Sequence, residues 1–190
     1  MTDINSKQPP VKPPNGKTNG LSRDEDRILS LMELFYFAYR DFTTDGDEVL
    51  AKIGFGRAHH RTLHFVNHYP GLRVADLLNI LKITKQSLAR VLKQLIDEGY
   101  IRRHQGDKDR RERRLFITPK GQELAHRLAT PQINRFQQAL TSLSKDERQT
   151  IEKFLFNLIE TPHRHEVITL LAENGHKISE LCNNLNQEDC

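Results

Sequence analysis

Cysteine is nearly absent. The 190 residues hold two, Cys182 and Cys190, both at the C-terminal end. They cannot form a disulfide framework, so a reduced cytoplasmic protein is the simpler reading, with a redox-active C-terminal pair as the alternative. No apolar run approaches the roughly eighteen residues of a membrane helix, and the N-terminus has no signal-peptide core. A soluble chain with no membrane partner is expected. HExxH, a Gly-rich phosphate loop and a nucleophile–base pair are all missing, which argues against an enzyme and against a cofactor. No internal repeat is present.

What is abundant is clustered positive charge. The chain carries +4 overall. Between Lys82 and Arg114 there are eleven Lys/Arg and five Asp/Glu, a local +6 that leaves −2 for the remainder. Clustering of that kind points to a polyanion partner.

Residues 1–22 hold Pro9, Pro10, Pro13, Pro14, Gly16 and Gly20 among polar residues. With almost nothing to bury, they read as a disordered arm. From Asp24 the pattern changes. Ile28, Leu29, Leu31, Met32, Leu34, Phe35, Tyr36, Phe37, Tyr39 and Phe42 make a helix apolar nearly all round. A second subunit is the natural cover for such a helix; a central core helix in a monomer is the alternative. Gly54–Tyr69 reads as the next helix, with Phe55, His59, Thr62, Leu63 and Val66 inward and Arg57, His60, Arg61, His64 and His68 opposite. Those histidines have metal-ligand spacing, but no nearby Cys or acid completes a set, so no metal is expected.

Apolar Val74, Leu77, Leu78 and Leu81 fall at i, i+3, i+4 and i+7, and Leu88, Val91, Leu92 and Leu95 repeat the spacing. This pattern predicts two short helices joined by a tight turn. The second has a free face starting at Thr84, Lys85, Gln86 and Ser87 and continuing through Arg90, Lys93 and Gln94. Arg and Lys can donate to guanine, Gln can pair with adenine, and Ser or Thr suit either, so the face fits the major groove of double-stranded DNA. Tyr100–Arg103 and Leu115–Thr118 then read as two strands, with a basic tip that includes Lys108, Asp109, Arg110, Arg111 and Arg113. A long Arg on such a tip can enter a minor groove, and a solvated charge run is the other reading. Thr118 and Pro119 start a long helix that Pro131 should bend. Ser144 with Glu147 starts another helix, and Thr161-Pro162 is expected to stop it. Residues 161–190 form an extension with short helices around Val167–Leu171 and Ile178–Leu185.

This order of elements resembles the MarR family of winged helix–turn–helix transcription regulators. The most specific match is Asp109-Arg110-Arg111-Glu112-Arg113-Arg114-Leu115-Phe116-Ile117-Thr118, which is similar to the family's wing signature, with Ile117 in place of the usual Leu. Leu95–Tyr100 looks like the family's exit from its recognition helix. The resemblance covers about residues 24–160. It implies a mainly α fold with a small β-hairpin wing: a 23–160 domain holding the winged helix–turn–helix at about 54–118 and dimerisation helices at about 24–45 and 119–160. It also implies a homodimer, Arg111 as the minor-groove arginine with Asp109 orienting it, and a small-molecule effector cleft faced by His60 and His64. The family's oxidant-sensing variant uses a Cys near the first helix, which this chain lacks. A winged-helix protein binding nucleic acid without sequence preference is the competing reading.

Overall fold

A computed structural model describes residues 22–105 and 112–173. The chain divides into two compact units, one ending at Asp41 and the other starting at Phe42. The wing-tip residues Lys108, Asp109, Arg110 and Arg111, the arm 1–21 and the expected helix at Ile178–Leu185 lie outside the described residues.

The first unit is a helix, α1 (Arg23–Thr44), whose last residues enter the second unit. Ser22 and Glu25 cap it reciprocally: the Ser22 N–H donates to Glu25 Oε2 at 2.8 Å, and the Glu25 N–H donates to Ser22 Oγ at 3.2 Å. This Ser-x-x-Glu box is a local sequence signal for a helix start. The Ser22 backbone bond holds the Glu25 carboxyl below the usual carboxylate range. Asp24, Glu25 and Asp26 in the first turn suit the positive helix end. No residue of α1 is buried, and Leu34 is 65% exposed.

The second unit is built on α2 (Asp47–Ala51), α3 (Arg57–His68), β1 (Leu72–Arg73), α4 (Val74–Leu81), α5 (Lys85–Asp97), β2 (Ile101–Gln105), β3 (Arg113–Ile117), α6 (Pro119–Leu140), α7 (Lys145–Asn157) and α8 (Thr161–Glu173). Its core gathers Leu50, Leu63, Val66, Leu77, Leu88, Leu95, Ile101, Leu115 and Leu128, each at most 1% exposed. At about 1.5–3 kcal/mol for each large apolar side chain removed from water, this cluster dominates the unit's stability. The expected inward positions Thr62, Leu63 and Val66 are all buried, as is the whole Leu88–Leu95 stripe.

Some boundaries differ from the sequence expectation. The third helix starts at Arg57 rather than Gly54, because Gly54 takes a left-handed φ of 70° and Gly56 is extended. The short α2, which buries Leu50, and the two-residue β1 were not foreseen. Strand β1 pairs antiparallel with β3, Leu72 opposite Leu115, so the sheet order is β1-β3-β2. Thr161-Pro162 does not stop α7, which ends at Asn157; it opens α8. The Thr-Pro pair acts there as it does at Thr118-Pro119, since a Pro in the first turn gives up no needed N–H. Helix α6 runs on through Pro131. Ser144 and Glu147 form the expected capping box. Among the described residues, no helix is long and apolar enough to cross a membrane.

Candidate nucleic-acid interface

The helix pair α4–α5 turns at Lys82, which adopts a left-handed φ of 48° and closes α4 through its N–H to Leu78 O at 3.0 Å. Two residues on, Thr84 caps α5: its hydroxyl accepts the Ser87 N–H at 3.2 Å and donates to Ser87 Oγ at 2.9 Å. Because Leu88, Val91, Leu92 and Leu95 anchor α5 to the core, its opposite face must point to solvent. Thr84, Lys85, Gln86, Ser87, Arg90 and Lys93 are all exposed there.

The six are not equivalent. Lys85, Gln86 and Arg90 make no side-chain hydrogen bond or ion pair within the described residues, so their donors face water. Lys93 is paired with Asp97, one turn along the same helix. Thr84 spends its hydroxyl on the cap. Gln94, expected to continue the reading face, is half-buried and engaged: its Oε1 lies 3.0 Å from His59 Nε2, and its Nε2 donates to Glu98 at 3.0 Å. His59 Nδ1 accepts the Gly56 N–H at 3.1 Å, so the proton sits on Nε2 and points at Gln94. Phe55 stacks on the His59 ring with centroids 4.6 Å apart. Gln94 thus holds α3 against α5.

Strands β2 and β3 form the hairpin in the expected place. Ile101 and Leu115 are buried and Ile117 is half-buried, while Arg102, Arg103 and Arg114 are exposed and Arg113 is half-buried. Arg73 and Arg114 stand opposite each other across β1 and β3, a like-charge pair that opposes the sheet. Each is neutralised locally. Arg73 grips Asp76 through two bonds of 2.6 Å, and Arg114 Nη2 lies 3.0 Å from Glu112 Oε1, an ion pair without hydrogen-bond alignment.

Helix α5 is locked at its far end as well. Gly99 leaves it with a φ of 76°, a conformation that favours glycine. Thr118 Oγ1 donates to Gly99 O at 2.7 Å, and Lys120 Nζ donates to Glu98 O at 2.7 Å. Lys120 also lies 4.1 Å from the Tyr100 ring centroid. A Cβ on Gly121 would fall 2.1 Å from Tyr100 O, so only glycine lets α6 start this close to the end of α5.

The two expected effector-cleft histidines are placed differently. His60 is half-buried over the Gly46 turn and Leu128. Burial lowers its pKa, against the opposing pull of Asp47. His64 lines a cavity of about 500 Å³ beside α8. Burial first, then His68 and His60, push its pKa down to about 4. His64 keeps an exposed edge while its imidazole is set among these neighbours. Among the described residues, no three His, Cys, Asp or Glu side chains converge as a metal-ion set.

Comparison with known proteins is consistent across sequence and fold. A profile of the MarR family matches residues 53–112. The HTH-type transcriptional regulator PetP of Rhodobacter capsulatus is 44% identical over 126 residues, 66% of this chain and 75% of that protein. Among solved structures, a MarR family regulator from Silicibacter pomeroyi superposes with a TM-score of 0.57 at 22% identity, over 66% of this chain and 84% of the other. The S. aureus MepR–DNA complex superposes with a TM-score of 0.53 at 19% identity, over 67% and 94%. At those identities the structural likeness concerns the fold.

Proposed function

Because this chain belongs to the MarR family of transcriptional regulators, and so to regulators rather than enzymes, we propose that it binds double-stranded DNA sequence-specifically as a homodimer. The observation that carries this reading is the split of α5: leucines buried on one side, and Lys85, Gln86 and Arg90 presented to solvent on the other. Those three reach base edges in the major groove, with the positive end of α5 near a phosphate. Thr84 and Ser87 hold the helix start and contribute a hydroxyl. Lys93 neutralises phosphate charge beside them. The wing, from Lys108 through Asp109, Arg110, Arg111 and Arg113, enters the adjacent minor groove.

The homodimer reading is supported by surface that one chain leaves uncovered. Leu34, Phe35 and Tyr36 on α1, Ile133 and Phe136 on α6, Phe154 on α7 and Leu158 just after it are each between 48% and 65% exposed. Two recognition helices then read half-sites on the order of 10 bp apart. A small-molecule effector modulates binding.

The test is titration of selected genomic fragments against random-sequence competitor at several salt concentrations. A preference above about 10³ is expected, with a log–log salt slope of about 0.9 for each neutralised phosphate. A preference below about tenfold makes the protein a general nucleic-acid binder instead. Arg111→Ala should weaken operator binding by about 1–3 kcal/mol and leave the fold intact. Unchanged affinity removes Arg111 from the minor groove.

A further inference from the structure

Helix α8 follows α7, and its inner side is half-buried. With α3 and α4 it bounds a cavity of about 500 Å³ that opens to solvent, within the size range of small-molecule sites. The walls are apolar: Phe65 and Tyr69 on one side, Ile80 at the end of α4, and Val167, Leu170 and Leu171 from α8. The polar lining holds one cation and one carboxylate. The Lys82 ammonium, the Asn79 amide and the imidazoles of His64 and His163 line it together with the Glu166 carboxylate, and His163 Nε2 lies 3.6 Å from Glu160 Oε2.

Lys82 and Glu166 approach to 3.7 Å, too long for a hydrogen bond, and both stay substantially exposed. Such a pair contributes little and exchanges readily. Lys82 is fixed by the left-handed turn between α4 and α5. Glu166 rides on a helix with no fully buried side chain among its described residues. The cation is therefore the better-anchored half of the pair.

We propose that this cavity binds an amphipathic monocarboxylate, its apolar body between α4 and α8 and its carboxylate on Lys82 in place of Glu166. Binding frees Glu166 and loosens α8 from the turn of the helix–turn–helix. That last step rests on the reading of the chain as an effector-modulated regulator; the binding itself does not.

Calorimetric titration of the full chain without DNA tests the site, with octanoate, 1-octanol and octylammonium as probes. Octanoate should bind at least about tenfold more tightly than either of the others. Leu170→Trp, which fills the cavity, should weaken octanoate by about tenfold or more with the circular dichroism unchanged. Lys82→Met should bring octanoate to the level of octanol, and decides the matter if Leu170→Trp does not fold. Absent octanoate binding, equal binding of octanol, preference for octylammonium, or indifference to both substitutions overturns the proposal. Because no DNA is present, such a failure leaves the DNA-binding reading untouched. Should octanoate bind as expected while random DNA competes equally for the protein, the regulator reading fails and the site stands.

Discussion

The two halves of α6 have similar periodicity and opposite fates. In the first half Leu124, Ala125 and Leu128 are 5%, 7% and 0% exposed. In the second, beyond Pro131, Ile133 and Phe136 are 49% and 52% exposed, although Phe136 meets Phe42 edge-on at 5.7 Å. An apolar stripe at helical spacing says that something covers it, and is silent about which chain does so. The first half is covered by its own winged-helix core. The second half, like α1 as a helix by itself, leaves its stripe exposed, and this is the surface assigned to the proposed homodimer.

Leu128→Ala should produce the largest effect, about 2–5 kcal/mol lost in denaturant unfolding, because it opens a cavity in the core. A loss below about 1 kcal/mol would mean that the first half is not the anchored one. Pro131 sits between the halves, where it lacks an N–H and crowds the preceding turn. Pro131→Ala should raise unfolding stability by up to about 3 kcal/mol, and a neutral result would show that the surrounding contacts already absorb its cost. Phe136→Glu should cost association instead. Sedimentation should show monomer in place of the proposed homodimer, consistent with losing about 1.5–3 kcal/mol of buried apolar surface per side chain. A dimer that survives this change, with Ile133→Glu added, would place the partner elsewhere.

The smallest effect concerns pH. The pKa of His64 is depressed in the folded chain to about 4 from an ordinary 6.5. Between those values the unfolded chain holds the extra proton, so stability is full above about pH 6.5 and declines as pH falls toward 4. The groups around it are His60 and His68 on α3, Lys82 after α4, and His163 and Glu166 on α8. His64→Gln should flatten the melting temperature against pH in that window. Asp45 and Asp47, held low by hydrogen bonds from Arg135 and Arg57, act only below about pH 4. An unchanged slope would show that His64 titrates normally.

Much of the winged-helix half was legible because its signals are local. Leu88, Val91, Leu92 and Leu95 repeat every three or four residues, and Thr84, Thr118 and Ser144 cap the helices that follow them. What escaped was set by partners distant in the chain. Strand β1 is two residues long and exists because β3 lies beside it. Gln94 looked like a base reader by type and spacing, and only folding brings His59, thirty-five positions earlier, to its amide. The cavity at α8 joins residues from His64 to Leu171, a grouping no local pattern encodes.

The contacts of Thr118, Lys120 and Gly121 with Glu98, Gly99 and Tyr100 also have a mechanical meaning. They pin the end of α5 to the start of a 22-residue rod, about 33 Å long at 1.5 Å per residue. A rotation of about 5° at that pinned end sweeps the other end through roughly 3 Å over a rod of this length. Run in reverse, a small repacking at the far end of α6 becomes a change in the aim of α5. A few degrees at one end of the rod suffice to re-aim the helix pinned to it.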